Sequence, residues 1–116
     1  MTRSTTAITT HVLDTSRGQP AAGLSVSLAM GAGGGWSEIA AAATDGDGRV
    51  ANLLPEDVAR AAGVYRLRFE TADYFGRHGA ATFYPYVDVV FTIDEGGHYH
   101  VPLLVSPFGY ATYRGR

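Results

Sequence analysis

The C-terminal stretch HYHVPLLVSPFGYATYRGR, His98 to Arg116, sets the architecture that the rest of the chain must match. Successive side chains of a strand alternate faces, so His98 and His100 point one way while Tyr99 and Val101 point the other. Two imidazoles in register are unusual for a strand packed inside a core. They read as the wall of a site, with Tyr113 and Arg114 following. Ser106-Pro107-Phe108 is turn chemistry, and a last strand is expected from Gly109 to the end. Upstream, VDVVFTID places Val87, Val89, Phe91 and Ile93 on one face, and Glu95-Gly96-Gly97 turns the chain into the histidine strand.

The same period of two recurs along the chain. Residues 1–7 are polar and expected to form a disordered tail, leaving 8–116 as the domain. From Ile8 to Leu13 the pattern sets Ile8, Thr10 and Val12 against Thr9, His11 and Leu13, a strand ending at Asp14. LSVSLAM puts Leu24, Val26, Leu28 and Met30 inward and Ser25, Ser27 and Ala29 outward. VYRLRFET does likewise with Tyr65, Leu67 and Phe69, leaving Arg66, Arg68 and Glu70 on a solvated face. GAGGG, Gly31 to Gly35, is a hairpin tip and not a phosphate cradle, because a strand from Trp36 to Thr44 follows where a phosphate loop requires a helix. Asp45-Gly46-Asp47-Gly48 is a tight turn that lacks the later acidic ligands of a calcium loop. Arg49 then opens a short strand through Asn52. Brief helices are expected after Pro55, stopped by Gly63, and within Ala72 to Gly79, where His78 is an exposed bystander. Seven or eight short alternating strands with at most two helical turns define an all-β sandwich.

Length and composition close off several classes of function. At 116 residues the chain makes one domain, and 46% apolar with 17% charged residues is ordinary for a globular protein. A net charge of −2 leaves no electrostatic footprint for nucleic acid or an anionic membrane. All nine cationic side chains are arginine and no cysteine is present. Schiff-base chemistry, a thiolate nucleophile, disulfides and Cys-ligated zinc are therefore excluded. No apolar run suits a secretory signal or a membrane span, so a cytoplasmic location is expected.

Three sets of polar residues stand where proton chemistry would need them: His11, Arg49, and His98 with His100. Histidine gives and takes a proton near neutral pH, and arginine is a permanent cation able to hold an oxyanion or a planar ring. Spacing alone leaves open whether they share a site or are scattered structural groups. His98-x-His100 with His11 also has the spacing of a three-histidine zinc site with an open position.

ITTHVLDTSRGQPAAGL, Ile8 to Leu24, together with the C-terminal stretch, resembles the transthyretin-related 5-hydroxyisourate hydrolases. The resemblance implies a transthyretin-like sandwich of two four-stranded antiparallel sheets with one short helix, assembled as a homotetramer, a dimer of dimers, with the site at an interface. It implies His11, Arg49 and His100 as catalytic residues and no metal or cofactor. His11, Arg49, Tyr113, Arg114 and Gly115 would bind substrate, joined by His98, which shares the face of His100 but is not the matching motif residue. The reaction implied is attack of water on the C6 carbonyl of 5-hydroxyisourate with opening of the N1–C6 bond, giving 2-oxo-4-hydroxy-4-carboxy-5-ureidoimidazoline in urate breakdown. The family ending Tyr-Arg-Gly-Ser is matched by Tyr113-Arg114-Gly115 and departed from at Arg116, whose longer side chain is expected to point away with turnover retained. A non-catalytic ligand-binding sandwich and a zinc hydrolase are the alternatives.

Overall fold

A computed structural model describes residues 6–54, 62–94 and 97–115. Its strands are β1 (Thr6–Asp14), β2 (Gln19–Pro20), β3 (Ser25–Ala32), β4 (Gly35–Ala43), β5 (Arg49–Val50), β6 (Gly63–Phe69), β7 (Val87–Ile93), β8 (Gly97–His100), β9 (Leu103–Ser106) and β10 (Gly109–Thr112), with one helix, α1 (Thr71–Arg77), after β6. The alternation required an all-β sandwich, and the two sheets with one short helix are those the family resemblance implied. One sheet is antiparallel in the order β4-β3-β6-β7.

The other sheet gathers six segments around β1 and is mixed rather than antiparallel, because β8 and β9 both run parallel to β1. Thr9 faces His100 and Val12 faces Leu103, the same offset, so β8 and β9 are one strand interrupted at Val101-Pro102. On the other edge of β1, β5 pairs at Thr10 and His11 and β2 at Leu13 and Asp14. The six segments thus occupy four rows. β5 stops at Val50, short of the expected Asn52, because the Asn52 side chain takes over: its Oδ1 accepts the N–H groups of Ile8 and Leu54.

The core lies between the sheets. Ile8, Val12, Tyr99, Val101, Leu103 and Val105 of the mixed sheet meet Val26, Leu28, Tyr65, Leu67, Phe69, Val87 and Ile93 of the other. Ala29 is buried instead of outward, since a register shift at Leu28/Ala29 breaks the period. Arg66 and Arg68 are not simply solvated. Arg68 makes a bidentate pair with Asp88 and stacks on Tyr86, and Arg66 lies over the Trp36 ring. The hairpin joining β3 and β4 turns at Gly33-Gly34.

β1 starts at Thr6, two residues before the expected Ile8, because Thr6 and Ala7 pair with Gly97 and His98. β10 ends at Thr112 instead of running to the terminus. In its register the next residue falls opposite Pro102, which has no N–H to give, and pairing resumes at Gly115 opposite His100. The expected helix after Pro55, the turn at Glu95-Gly96 and Arg116 lie outside the described residues. No helix among the described residues is long and apolar enough to cross a membrane.

Candidate active site

The outer face of the mixed sheet carries the polar residues that the sequence singled out. Alternation along β1 buries Ile8, Thr10, Val12 and Asp14 and turns Thr9 and His11 outward. Parallel pairing sets His100 beside Thr9, and antiparallel pairing sets Arg49 directly opposite His11, so these side chains share one face. Thr9, Asp45, Arg49, Ala51, His98 and His100 line a cleft of about 290 Å³. The residues that spacing alone could not unite are brought together by β1.

Arg49 is aimed by the turn before it. The Asp45 carboxylate accepts the N–H groups of Asp47 and Arg49, while the Gly48 N–H returns to the Asp45 carbonyl. Those two backbone donors hold the Asp45 carboxyl below its ordinary range, so it stays an anion beside Arg49. Gly48 has φ +75° and a carbonyl that accepts the Val12 N–H at 2.7 Å. A β-carbon there would run into the Val12 carbonyl oxygen, so only glycine lets the turn press against β1.

The two imidazoles do not approach the cleft independently. Thr9 Oγ1 lies 2.8 Å from His98 Nε2 and 2.7 Å from His100 Nδ1. Burial, and then the nearby His98, Arg49 and His11 side chains, push the His100 imidazole below its ordinary value. His100 is therefore neutral at pH 7, the form that can accept a proton. Behind it, the Gly115 N–H donates to the His100 carbonyl at 2.8 Å, and a β-carbon on Gly115 would sit 2.5 Å from His100 Cδ2.

Tyr113 and Arg114 are placed elsewhere within the chain. They border a second cleft, of about 230 Å³, with Val89, Phe91, Tyr99 and Thr112, and the Arg114 guanidinium lies 4.6 Å over the Tyr99 ring. Arg114 thus turns to the Tyr99 ring while its neighbour Gly115 lies against His100. His78 is exposed and remote from the cleft, but it is not without contacts: it packs against Tyr74 and accepts from Arg17. Sequence reasoning missed Thr9 and Asp45 as parts of the site. Alternation did place Thr9 on the His11 face, but its link to two residues some ninety positions away depends on the parallel register.

His98 and His100 turn to a common hydroxyl, their ring centroids are 6.1 Å apart, and among the described residues no group of three His, Asp or Glu side chains is arranged to hold a metal ion.

Fold and site together define a two-sheet β-sandwich that carries an imidazole–guanidinium cleft on one outer face. The chain belongs to the HIUase/Transthyretin family, whose model matches residues 8–115. It is 47% identical to the 5-hydroxyisourate hydrolase of Deinococcus radiodurans, over 93% of this chain and 94% of that one. It is 45% identical to the uric acid degradation bifunctional protein TTL of Arabidopsis thaliana, over 97% of this chain but only 38% of that longer protein. Among solved structures it is similar to Klebsiella pneumoniae 5-hydroxyisourate hydrolase, with TM-score 0.84 and 35% identity over 96% of this chain and 100% of that one. Sea bream transthyretin in complex with thyroxine is also similar, with TM-score 0.87 and 36% identity over 94% of each chain.

Proposed function

We infer that this protein hydrolyses 5-hydroxyisourate to 2-oxo-4-hydroxy-4-carboxy-5-ureidoimidazoline, a step of urate breakdown. The observation that carries the reading is the outer-face cleft, where a neutral half-buried imidazole, His100, stands with Arg49 and its cross-strand neighbour His11. Similarity to relatives named for this hydrolysis supports it. The fold alone does not separate hydrolase from carrier, because a thyroxine-bound transthyretin matches equally well; the proton-transfer groups favour the hydrolase.

In the proposed reaction His100 takes a proton from water as the oxygen bonds to C6 of the substrate. Arg49 steadies the oxyanion that forms, a role suited to a fixed cation. As the N1–C6 bond breaks, His11 gives a proton to the departing nitrogen, and the product leaves as a carboxylate. The chemistry needs no metal. Tyr113 and Arg114 would reach substrate from a neighbouring copy in a homotetramer, consistent with their distance from the cleft of their own chain. A cytoplasmic location is part of the same reading.

The test is an absorbance assay on freshly generated 5-hydroxyisourate. Decay faster than the spontaneous rate, unaffected by a chelator, is expected. Decay at the spontaneous rate would favour a ligand-binding sandwich, and activity abolished by a chelator and restored by zinc would favour the metal reading.

A further inference from the structure

Thr9 stands between the two imidazoles with a single proton to offer. Its Oγ1 is 2.7 Å from His100 Nδ1 and 2.8 Å from His98 Nε2. A hydroxyl donates once, so it cannot satisfy two bare ring nitrogens, and at least one imidazole must donate to it. The choice is consequential because a neutral imidazole carries one ring proton. If Thr9 donates to His100 Nδ1, the His100 proton sits on Nε2, and that nitrogen is a donor. If His100 donates from Nδ1, its Nε2 keeps a lone pair and Thr9 turns its own proton to His98.

Two further observations favour the second arrangement. His100 Nε2 has no hydrogen-bond partner among the described residues, whereas Nδ1 is committed to Thr9. In addition, Nδ1–H can keep donating to Thr9 after Nε2 has gained a proton, so the hydroxyl need not turn during the reaction. In the first arrangement protonation would occur at Nδ1 and force the hydroxyl to rotate. The titratable and charged groups turned toward this row are His98 on β8, His11 on β1, Arg49 on β5 and Asp45 in the turn before it.

We propose that Thr9 is a positioning residue that fixes the tautomer of His100, accepting from Nδ1–H and donating to His98 Nε2, so that the Nε2 lone pair is free to take the proton of the attacking water. This rests on the hydrolase reading for its consequence but not for its geometry. His98 then has a role of its own: its Nε2 accepts the hydrogen bond from the Thr9 hydroxyl and keeps that hydroxyl from turning to His100.

Long-range ¹H–¹⁵N NMR of the intact, ¹⁵N-histidine-labelled protein at neutral pH reads the tautomer directly, without substrate. His100 protonated at Nδ1 is expected. Thr9→Val removes the hydroxyl at nearly constant shape and should shift His100 toward the Nε2–H tautomer, with kcat falling at least about tenfold and KM changing little. Thr9→Ser should restore both tautomer and kcat. Wild-type His100 protonated at Nε2, or Thr9→Val with unchanged tautomer and kcat, overturns the proposal, as does Thr9→Ser as damaging as Thr9→Val. Should Thr9→Val not fold, the wild-type tautomer and the Thr9→Ser kinetics still decide. A protein with the expected tautomer that leaves 5-hydroxyisourate untouched sinks the hydrolase reading alone, while turnover with the wrong tautomer sinks this one alone.

Discussion

At the scale of single residues the site separates groups that share a residue type but not an environment. His100 is half-buried and faces His98, Arg49 and His11, whereas His78 sits at the exposed end of α1 against Arg17. Alanine at His11, Arg49 or His100 should each cost at least about a hundredfold in kcat, as for loss of a proton-transfer group or an oxyanion donor. His78→Ala should leave kcat unchanged, and equal losses at His78 and His100 would break the assignment. The depressed His100 value also sets a pH dependence. As the proposed base, His100 would be disabled only when protonated, so kcat/KM should hold through neutrality and fall on an acid limb below pH 6.5, the ordinary imidazole value. Stability follows the same direction. The folded chain binds this proton less readily than the unfolded one, so the contribution of His100 is present above pH 6.5 and lost as pH falls toward its folded value. Because Arg49 is one cause of the depression, an NMR titration of Arg49→Met should show the His100 midpoint raised. An unmoved or lowered midpoint would contradict this electrostatic account.

At the scale of elements, β1 is the organiser, since it pairs with β2, β5, β8 and β9, presents Thr9 to the cleft and sets His11 on the same face opposite Arg49. Its far end is fixed by Asp14, fully buried, whose carboxylate accepts from Tyr74 of α1 at 2.9 Å and from the backbone N–H of Ser16. Tyr74→Phe should therefore cost about 1.5–3 kcal/mol, read as a lower urea midpoint with unchanged kcat, because the clasp lies away from the cleft. A variant as stable as the parent would show that water satisfies Asp14 equally well. Gly115→Ala tests the other end: its β-carbon must displace the His100 ring or the C-terminal segment, so kcat should fall at least about tenfold, some 1.4 kcal/mol, at little cost in urea midpoint. What was legible in the sequence was the content of these elements, because period-two burial in β1, β6 and β7 is a local signal. The faces of His98, His100 and Tyr99 were legible for the same reason. The partners of each strand were not. Nothing local tells that β1 runs parallel to the histidine strand, that Pro102 interrupts the final pairing, or that Arg114 turns to the Tyr99 ring while Gly115 lies against His100. The family resemblance could collect His11, Arg49 and His100 into one site, but the Thr9 bridge appears only once the register is known.

At the scale of the whole molecule, the chain ends in features that a solitary sandwich does not account for. β7 and β10 are edge strands of the two sheets, and both border the second cleft where Tyr113 and Arg114 sit. Unpaired edges are templates for another chain, and large exposed apolar groups near them mark an interaction surface. Phe83 is 73% exposed, Phe108 71% and Tyr113 59%, with Phe83 tied through its N–H to Pro107 in the β9–β10 turn. In the proposed homotetramer these groups would be covered, and Tyr113 and Arg114 would serve a cleft that is not their own. Light scattering should then report a tetramer at micromolar concentration. Phe108→Asp, a charge placed in a covered apolar contact, should dissociate it while leaving the circular dichroism spectrum unchanged, because Phe108 contributes nothing to the buried core. The decisive quantity is the activity of that dissociated form. If substrate is held between copies, turnover should fall with the fraction assembled and recover as protein concentration is raised. Full turnover in a chain that light scattering shows to be a monomer would place the whole site on the face that carries His11, Arg49 and His100 and leave Tyr113 and Arg114 without a part in it.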